Sequence, residues 1–330
     1  MQWFIRTWQT VKNNNNIKSI LWWGIGIGLV IGCTFNRFSG YDWIVCFRPQ
    51  ALEVNRYLIL NPMWTYLPLY PIALLPERLS LASFLMINLI ALYLSTRMIK
   101  VNRFFLLLSF PCFWIFWYGQ LDILVMFGAI LGYWSIENKK PILIGLAILL
   151  LLIKPHIGGP LALTYIFWSR NWKTMATICV VFLLSLIVWG FQWPLDWINN
   201  LLQANTEWRQ QQNANIGLFP FGLVSWLGLF IKMPRSEKAL YISCATIASL
   251  SYVGTYSLII LLIFQIPWWA YLLSSTPYFL GQNGYWITSL VPLFVMIWLI
   301  IRNTRIRQYL LVIMDKTQVI FTSAKAQTKE

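Results

Sequence analysis

The sequence predicts an all-helical integral membrane protein with about twelve, mostly short, transmembrane helices. Three observations predict it. Of the 330 residues, 58% are hydrophobic and 11% are charged, where a soluble domain carries roughly a quarter charged residues. A chain this apolar cannot cover a water-facing surface, so lipid must be its solvent. Tryptophan is abundant, with 20 copies, and Trp22, Trp23, Trp117, Trp168, Trp172, Trp193, Trp197, Trp268 and Trp269 lie near the ends of apolar runs, where amphipathic rings meet headgroups. The third observation is an uneven distribution of Lys and Arg. A formal net charge of +15 would point to nucleic acid in a soluble protein. Here the positive-inside rule accounts for it, and no nucleic-acid partner is expected.

Polar or Pro/Gly punctuation divides the apolar runs into predicted helices over 19–35, 80–97, 104–118, 121–136, 141–153, 157–169, 173–193, 216–231, 239–254, 256–267, 268–281 and 285–301. Several are shorter than the roughly 20 residues that span a bilayer squarely. Such helices extend into their flanks or stop where polar backbone lines a protein cavity. Met1 to Lys18 is polar and Ile20 to Thr34 lacks an evident cleavage site, so the first run reads as a retained helix rather than a signal peptide.

With the N-terminus inside, Arg6, Lys12, Lys18, Arg97, Lys100, Arg103, Lys139, Lys140, Arg170, Lys173, Lys232, Arg235, Lys238 and the tail residues Arg302, Arg305, Arg307, Lys316, Lys325 and Lys329 fall on the inner side. The outer side keeps Arg37, Arg48, Arg56, Arg78, Lys154 and Arg209. This bias predicts cytoplasmic termini and an even number of crossings in a multi-pass protein. The expected organisation is a cytoplasmic N-terminus (1–18), one polytopic membrane domain (19–301) and a cytoplasmic tail (302–330), loosely ordered from Asp315 to Glu330. Two outer loops are long. The first runs from Asn36 to Leu79, with an interfacial helix expected over Phe47 to Leu60 and a proline-broken run from Asn61 to Pro76. The second, Pro194 to Asn215, is rich in Gln and Asn. No internal repeat is evident.

The five cysteines, Cys33, Cys46, Cys112, Cys179 and Cys244, have neither paired nor metal-ligand spacing, and packing is their expected role. His156 is the sole histidine, and no acidic cluster has ligand spacing, so no metal and no cofactor are expected.

On this topology the unusual polar residues gather on the outer side: Asp42, Gln120 and Asp122, Lys154 and His156, Asp196, Glu207 and Arg209, Tyr252 and Tyr256. Ionisable groups at membrane depth are costly and are functional candidates by default; their convergence predicts one external cavity. Asp42, in Gly40-Tyr41-Asp42-Trp43, suits first a turn or a helix cap; it also suits a general base, since apolar neighbours raise a carboxyl pKa toward neutrality. Asp122 suits the first turn of a helix, and Gln120 can both donate to and accept from a sugar hydroxyl. Lys154 can snorkel to the interface; with His156 it can also meet a phosphate as a point charge. Pro155 frees backbone groups where a cavity offers partners. Arg48, Arg56 and Arg209 are surface charges or bidentate phosphate partners.

The arrangement resembles the C-type membrane glycosyltransferases, and most closely glycosyltransferase family 87, the polyprenol-phosphate-mannose-dependent mannosyltransferase-like proteins. The likeness runs through roughly residues 20–300. It is carried by Asp42 just after the first helix, by Trp64-Thr65-Tyr66-Leu67-Pro68-Leu69-Tyr70-Pro71, by Gly119-Gln120-Leu121-Asp122-Ile123-Leu124, and by Gly145 through Lys154-Pro155-His156 followed by the aromatic, basic loop Trp168 to Lys173. Tyr252 to Leu262 is a weaker match. The chain departs from the family in its short length, its lean outer loops and the Tyr-Asp-Trp context of Asp42. The resemblance implies a polyprenyl-phosphate sugar donor, a glycolipid or glycan acceptor, an external active site and inversion at the anomeric carbon. It makes Asp42 the base and sets Lys154 and His156 near the donor phosphate. Gln120 and Asp122 would then orient sugar hydroxyls, with Arg48, Arg209 and Tyr256 as further binding candidates.

Two other classes compete with this reading. A transporter or flippase of a lipid-linked or small polar substrate would also have many helices and buried polar groups, but often shows repeated halves. A non-catalytic scaffold would leave Asp42 and Lys154 apart and unrelated.

Overall fold

The computed structural model describes residues 15–52, 61–99, 101–203 and 215–304. Among them all regular structure is helical, apart from an isolated antiparallel bridge between Asn215 and Gly254. The main helices are α1 (Asn15–Phe35), α2 (Glu77–Met98), α3 (Phe110–Tyr118), α4 (Asp122–Glu137), α5 (Pro141–Leu151), α6 (Pro155–Ser169), α7 (Trp172–Trp189), α8 (Trp193–Gln203), α9 (Arg235–Ser249) and α10 (Val291–Asn303). Arg56, Glu207 and Arg209, the N-terminal residues 1–14 and the tail from 305 lie outside the described residues.

The number of spans differs from expectation. Three helices, α1, α2 and α7, are long and apolar enough to cross a bilayer; the bent pair Trp268–Ser289 and Val291–Asn303, angled at 44°, makes a fourth if counted as one span. The other apolar runs are broken by proline and glycine. The run 104–118 divides at Ser109, whose hydroxyl caps α3 by accepting from the Cys112 N–H at 3.4 Å. The run 216–231 contains a 3₁₀ helix, Phe221–Phe230, and 256–267 shrinks to two short turns, Thr255–Leu258 and Ile259–Leu262. Proline lacks the N–H that a helix interior needs. Pro141, Pro155, Pro277 and Pro292 accordingly sit at helix starts, where that N–H has no intrahelical partner.

Both long loops carry helical structure: Arg48–Ala51 falls within the helix expected over Phe47 to Leu60, of which 53–60 lie outside the described residues, and the other pieces stand where loop was expected. In the first, a π-helical turn (Asp42–Phe47) runs into Arg48–Ala51, and short helices follow at Met63–Tyr66 and Tyr70–Ala73. In the second, α8 exposes Leu195, Ile198 and Leu202.

The interior is the α4–α5–α6 unit, with α2 and α9 against it. Between helices in lipid there is little hydrophobic drive, so close approach over small residues does the packing. A Cβ on Gly158 would lie 2.1 Å from the Leu151 carbonyl oxygen, and one on Gly132 would lie 2.2 Å from the Tyr165 ring. The Tyr165 hydroxyl crosses to donate to the Ala129 carbonyl at 2.6 Å.

Asn215 fastens the end of the second long loop to the stretch after α9. Its amide donates to the Ser251 carbonyl at 3.0 Å, and its oxygen accepts from the Gly217 and Val253 N–H groups, both at 2.9 Å.

Candidate active site

Two glycine-bearing corners bring distant segments together. Gly119 ends α3 with φ of 72°, in the left-handed region that glycine adopts without steric cost. A Cβ there would lie 2.8 Å from Cβ of Trp43. The Gly40 N–H donates to the Trp117 carbonyl at 2.7 Å, so the Asp42 turn rests directly on the α3–α4 corner. Trp43 anchors this turn to α2: its indole N–H donates to Ser80 Oγ at 3.0 Å and its ring stacks on Phe84 at 4.1 Å between centroids. Asn88 of α2 donates to the Gln120 backbone carbonyl at 3.2 Å. Asp122 opens α4, and Lys154 immediately precedes the first residue of α6.

These corners assemble one polar chain. Gln120 Nε2 donates to Asp42 Oδ2. Lys154 Nζ donates to Gln120 Oε1 at 3.0 Å and to Asp122 Oδ2 at 2.6 Å. Ser257 Oγ donates to Asp122 Oδ1 at 2.8 Å. The Lys154 ammonium also sits 4.7 Å from the centroid of the Tyr256 ring, a cation–π distance. Gln120, Asp122, Lys154 and Ser257 are buried, whereas Asp42 is half-buried. The chain therefore has a dry end at Ser257 and a more open end at Asp42.

Electrostatics single out the open end. Burial pushes the Asp42 carboxyl up to about 6; Lys154 and the Gln120 hydrogen bond pull it back down, and Asp122 pushes it up. A carboxyl in this range can take a proton near neutral pH. Its Oδ1 has no hydrogen-bond partner among the described residues.

The structure thus brings together Asp42, Gln120, Asp122, Lys154 and Tyr256 of the expected set. His156 is exposed on the first turn of α6. Arg48 stands elsewhere: its guanidinium donates to the Ala73 and Leu75 carbonyls at 3.0 and 3.1 Å, clamping the loop before α2. Arg209 lies outside the described residues. Sequence reasoning missed Ser257, which lies inside the weakly matching stretch Tyr252 to Leu262; a serine between Tyr256 and Leu258 carries no pattern of its own. The separation of Asp42 and Lys154 expected of a scaffold is not found, since both bond to one amide.

Buried ionisable groups joined on an apolar helical frame define a membrane protein built around a polar cluster. A model of glycosyltransferase family 87 matches residues 60–314, well over half of the chain, and the protein belongs to that family. The match holds Gln120, Asp122, Lys154 and Ser257 and begins after Asp42, which joins the cluster by geometry. No curated protein and no solved structure matches the chain.

Proposed function

We propose that this family member transfers a sugar, mannose or another hexose, from a polyprenyl-phosphate donor to a glycolipid or glycan acceptor, at the external face of the plasma membrane and with inversion. The observation that carries this reading is the half-buried Asp42 carboxylate, held through one oxygen by Gln120 and poised by its surroundings near pH 6. Oδ1 takes the proton of the acceptor hydroxyl. The acceptor oxygen forms its bond to the anomeric carbon as the bond to the phosphate oxygen breaks, and the polyprenyl phosphate leaves with the electron pair. A single displacement of this kind inverts the anomeric centre, unlike the two-step route through a glycosyl-enzyme. The departing phosphate needs positive potential. Lys154 supplies it from inside the cluster, and His156 stands two residues further on at the surface. On this reading the polar chain lies at the outer membrane edge, as the distribution of Lys and Arg favours, and no cofactor takes part.

The test is transfer from radiolabelled polyprenyl-phosphate mannose in membranes carrying the wild type or Asp42→Asn. Product from the wild type alone is expected. Full transfer by folded Asp42→Asn would remove Asp42 from the reaction. Transfer only from another lipid-linked hexose would keep the mechanism and change the sugar.

A further inference from the structure

The chain from Ser257 to Asp42 has a fixed polarity. A hydroxyl can donate to the Asp122 carboxylate, and an ammonium can only donate, so Lys154 reaches Asp122 with one N–H and the Gln120 oxygen with another. The Gln120 amide is thereby held with its oxygen toward Lys154 and its NH₂ toward Asp42. Turning the amide over would set its NH₂ against the ammonium and its oxygen against the carboxylate. Both Asp122 oxygens are occupied, one by Lys154 and one by Ser257, and Asp122 is 2% exposed, so it acts through its neighbours.

We infer that Ser257, Asp122, Lys154 and Gln120 form a positioning relay whose output is the orientation and protonation of Asp42, with Ser257 as its buried terminus. The catalytic meaning of the relay rests on Asp42 being the base. The relay itself rests only on the hydrogen-bonded geometry. Ser257 fixes Asp122, Asp122 fixes the ammonium, and the ammonium polarises the amide that donates to Asp42; linked hydrogen bonds of this kind strengthen one another. The titratable groups facing Asp42 are Lys154, Asp122, Tyr118, Tyr256 and Cys46 of its own turn. Three of these are neutral near pH 7, so the two charged members of the relay dominate its field.

The test reads Asp42 directly and needs no sugar donor. Dicyclohexylcarbodiimide adds to a protonated carboxyl in an apolar setting, and peptide mass spectrometry measures the fraction of Asp42 modified across a pH series in the purified full-length protein. Gln120→Met removes the donor to Asp42, and the labelling midpoint rises by about one pH unit. Asp122→Asn removes the repelling charge and frees the ammonium to act on Asp42, and the midpoint falls by about the same amount. Ser257→Ala leaves Asp122 less satisfied, draws Lys154 away from Gln120 and raises the midpoint by less; Ser257→Thr, which keeps the hydroxyl, restores it. In transfer assays Ser257→Ala lowers kcat about threefold to tenfold with KM unchanged, on the scale of one hydrogen bond.

Midpoints that stay at the wild-type value in folded Gln120→Met and Ser257→Ala would overturn the relay, as would an upward move in Asp122→Asn. Should Asp122→Asn fail to fold, the other two variants decide. If Asp42→Asn retains full transfer while the midpoints move as stated, the relay stands and the base assignment falls.

Discussion

α7 and α4 are both apolar helices, yet they answer to different solvents. α7 is long and apolar enough to cross a bilayer and has 22% of its most apolar window buried inside the protein, so most of its surface is left for lipid. α4 is shorter, is buried along nearly its whole length, and starts with an aspartate. Sequence apolarity looks alike in the two because lipid and protein interior reward the same residue types. Length and punctuation separate them. α7 belongs to the wall, whereas the short helices, stopped by Gly119 and Pro155, present their ends to one another and, backed by α2, carry the polar chain.

Substitutions should sharpen that contrast. The largest effect belongs to Asp42→Asn, which is expected to cut transfer by about 10²–10⁴-fold, the usual contribution of a general base, with folded protein unchanged by size-exclusion chromatography. Lys154→Met leaves Asp122 buried without its cation and should destabilise the protein by about 3–5 kcal/mol, read as a lower melting temperature in detergent. Adding Asp122→Leu should recover much of the loss; a double variant as unstable as the single one would break the ion-pair account. Next comes Gly158→Ala, whose new methyl meets the Leu151 carbonyl and should cost about 1–3 kcal/mol by overpacking. Gly28→Ala, with nothing within 4 Å of the new atom, should stay within about 0.5 kcal/mol. Equal costs at the two glycines would erase the distinction between interior and wall.

The pH dependence follows from the open end of the chain. On the proposed mechanism Asp42 must be ionised to act as base, so kcat/KM is expected to fall as pH drops through about 6, by close to tenfold per pH unit below it. Stability moves the other way. Folding raises the pKa of this carboxyl, so the folded state holds its proton more tightly than the unfolded chain does. The contribution of Asp42 to stability is full below the ordinary carboxylate range and is lost as pH rises through about 6. A rate profile flat across that range would break the assignment.

The sequence made the helical pattern legible. Runs bounded by proline, glycine and paired charges become α1, α2, α4, α5, α6 and α7 within a few residues of expectation. The number of spans was not legible, because a hydrophobic run has the same composition whether it crosses lipid, bends, or ends inside protein. Phe221–Phe230 has the composition of a span and the geometry of a 3₁₀ helix. Within the cluster, Asp42, Gln120, Asp122 and Lys154 stood out because each is costly to bury. Ser257 did not, since a serine is common in membrane helices and only the facing carboxylate gives it meaning. Arg48 shows the converse: a side chain suited to phosphate is directed at two loop carbonyls, which nothing in its own neighbourhood announces.

The Asn215 clasp ties the end of the second long loop to the strand-like stretch that leads into the Ser257 turn, with Ile216 donating to the Val253 carbonyl at 2.8 Å. Mechanically it is a short tether. A displacement of Asn215 or Ile216 reaches Val253, four positions before Ser257. Asn215 and Ser257 are thereby joined over a few residues, so a displacement at the clasp is read at the buried end of the polar chain.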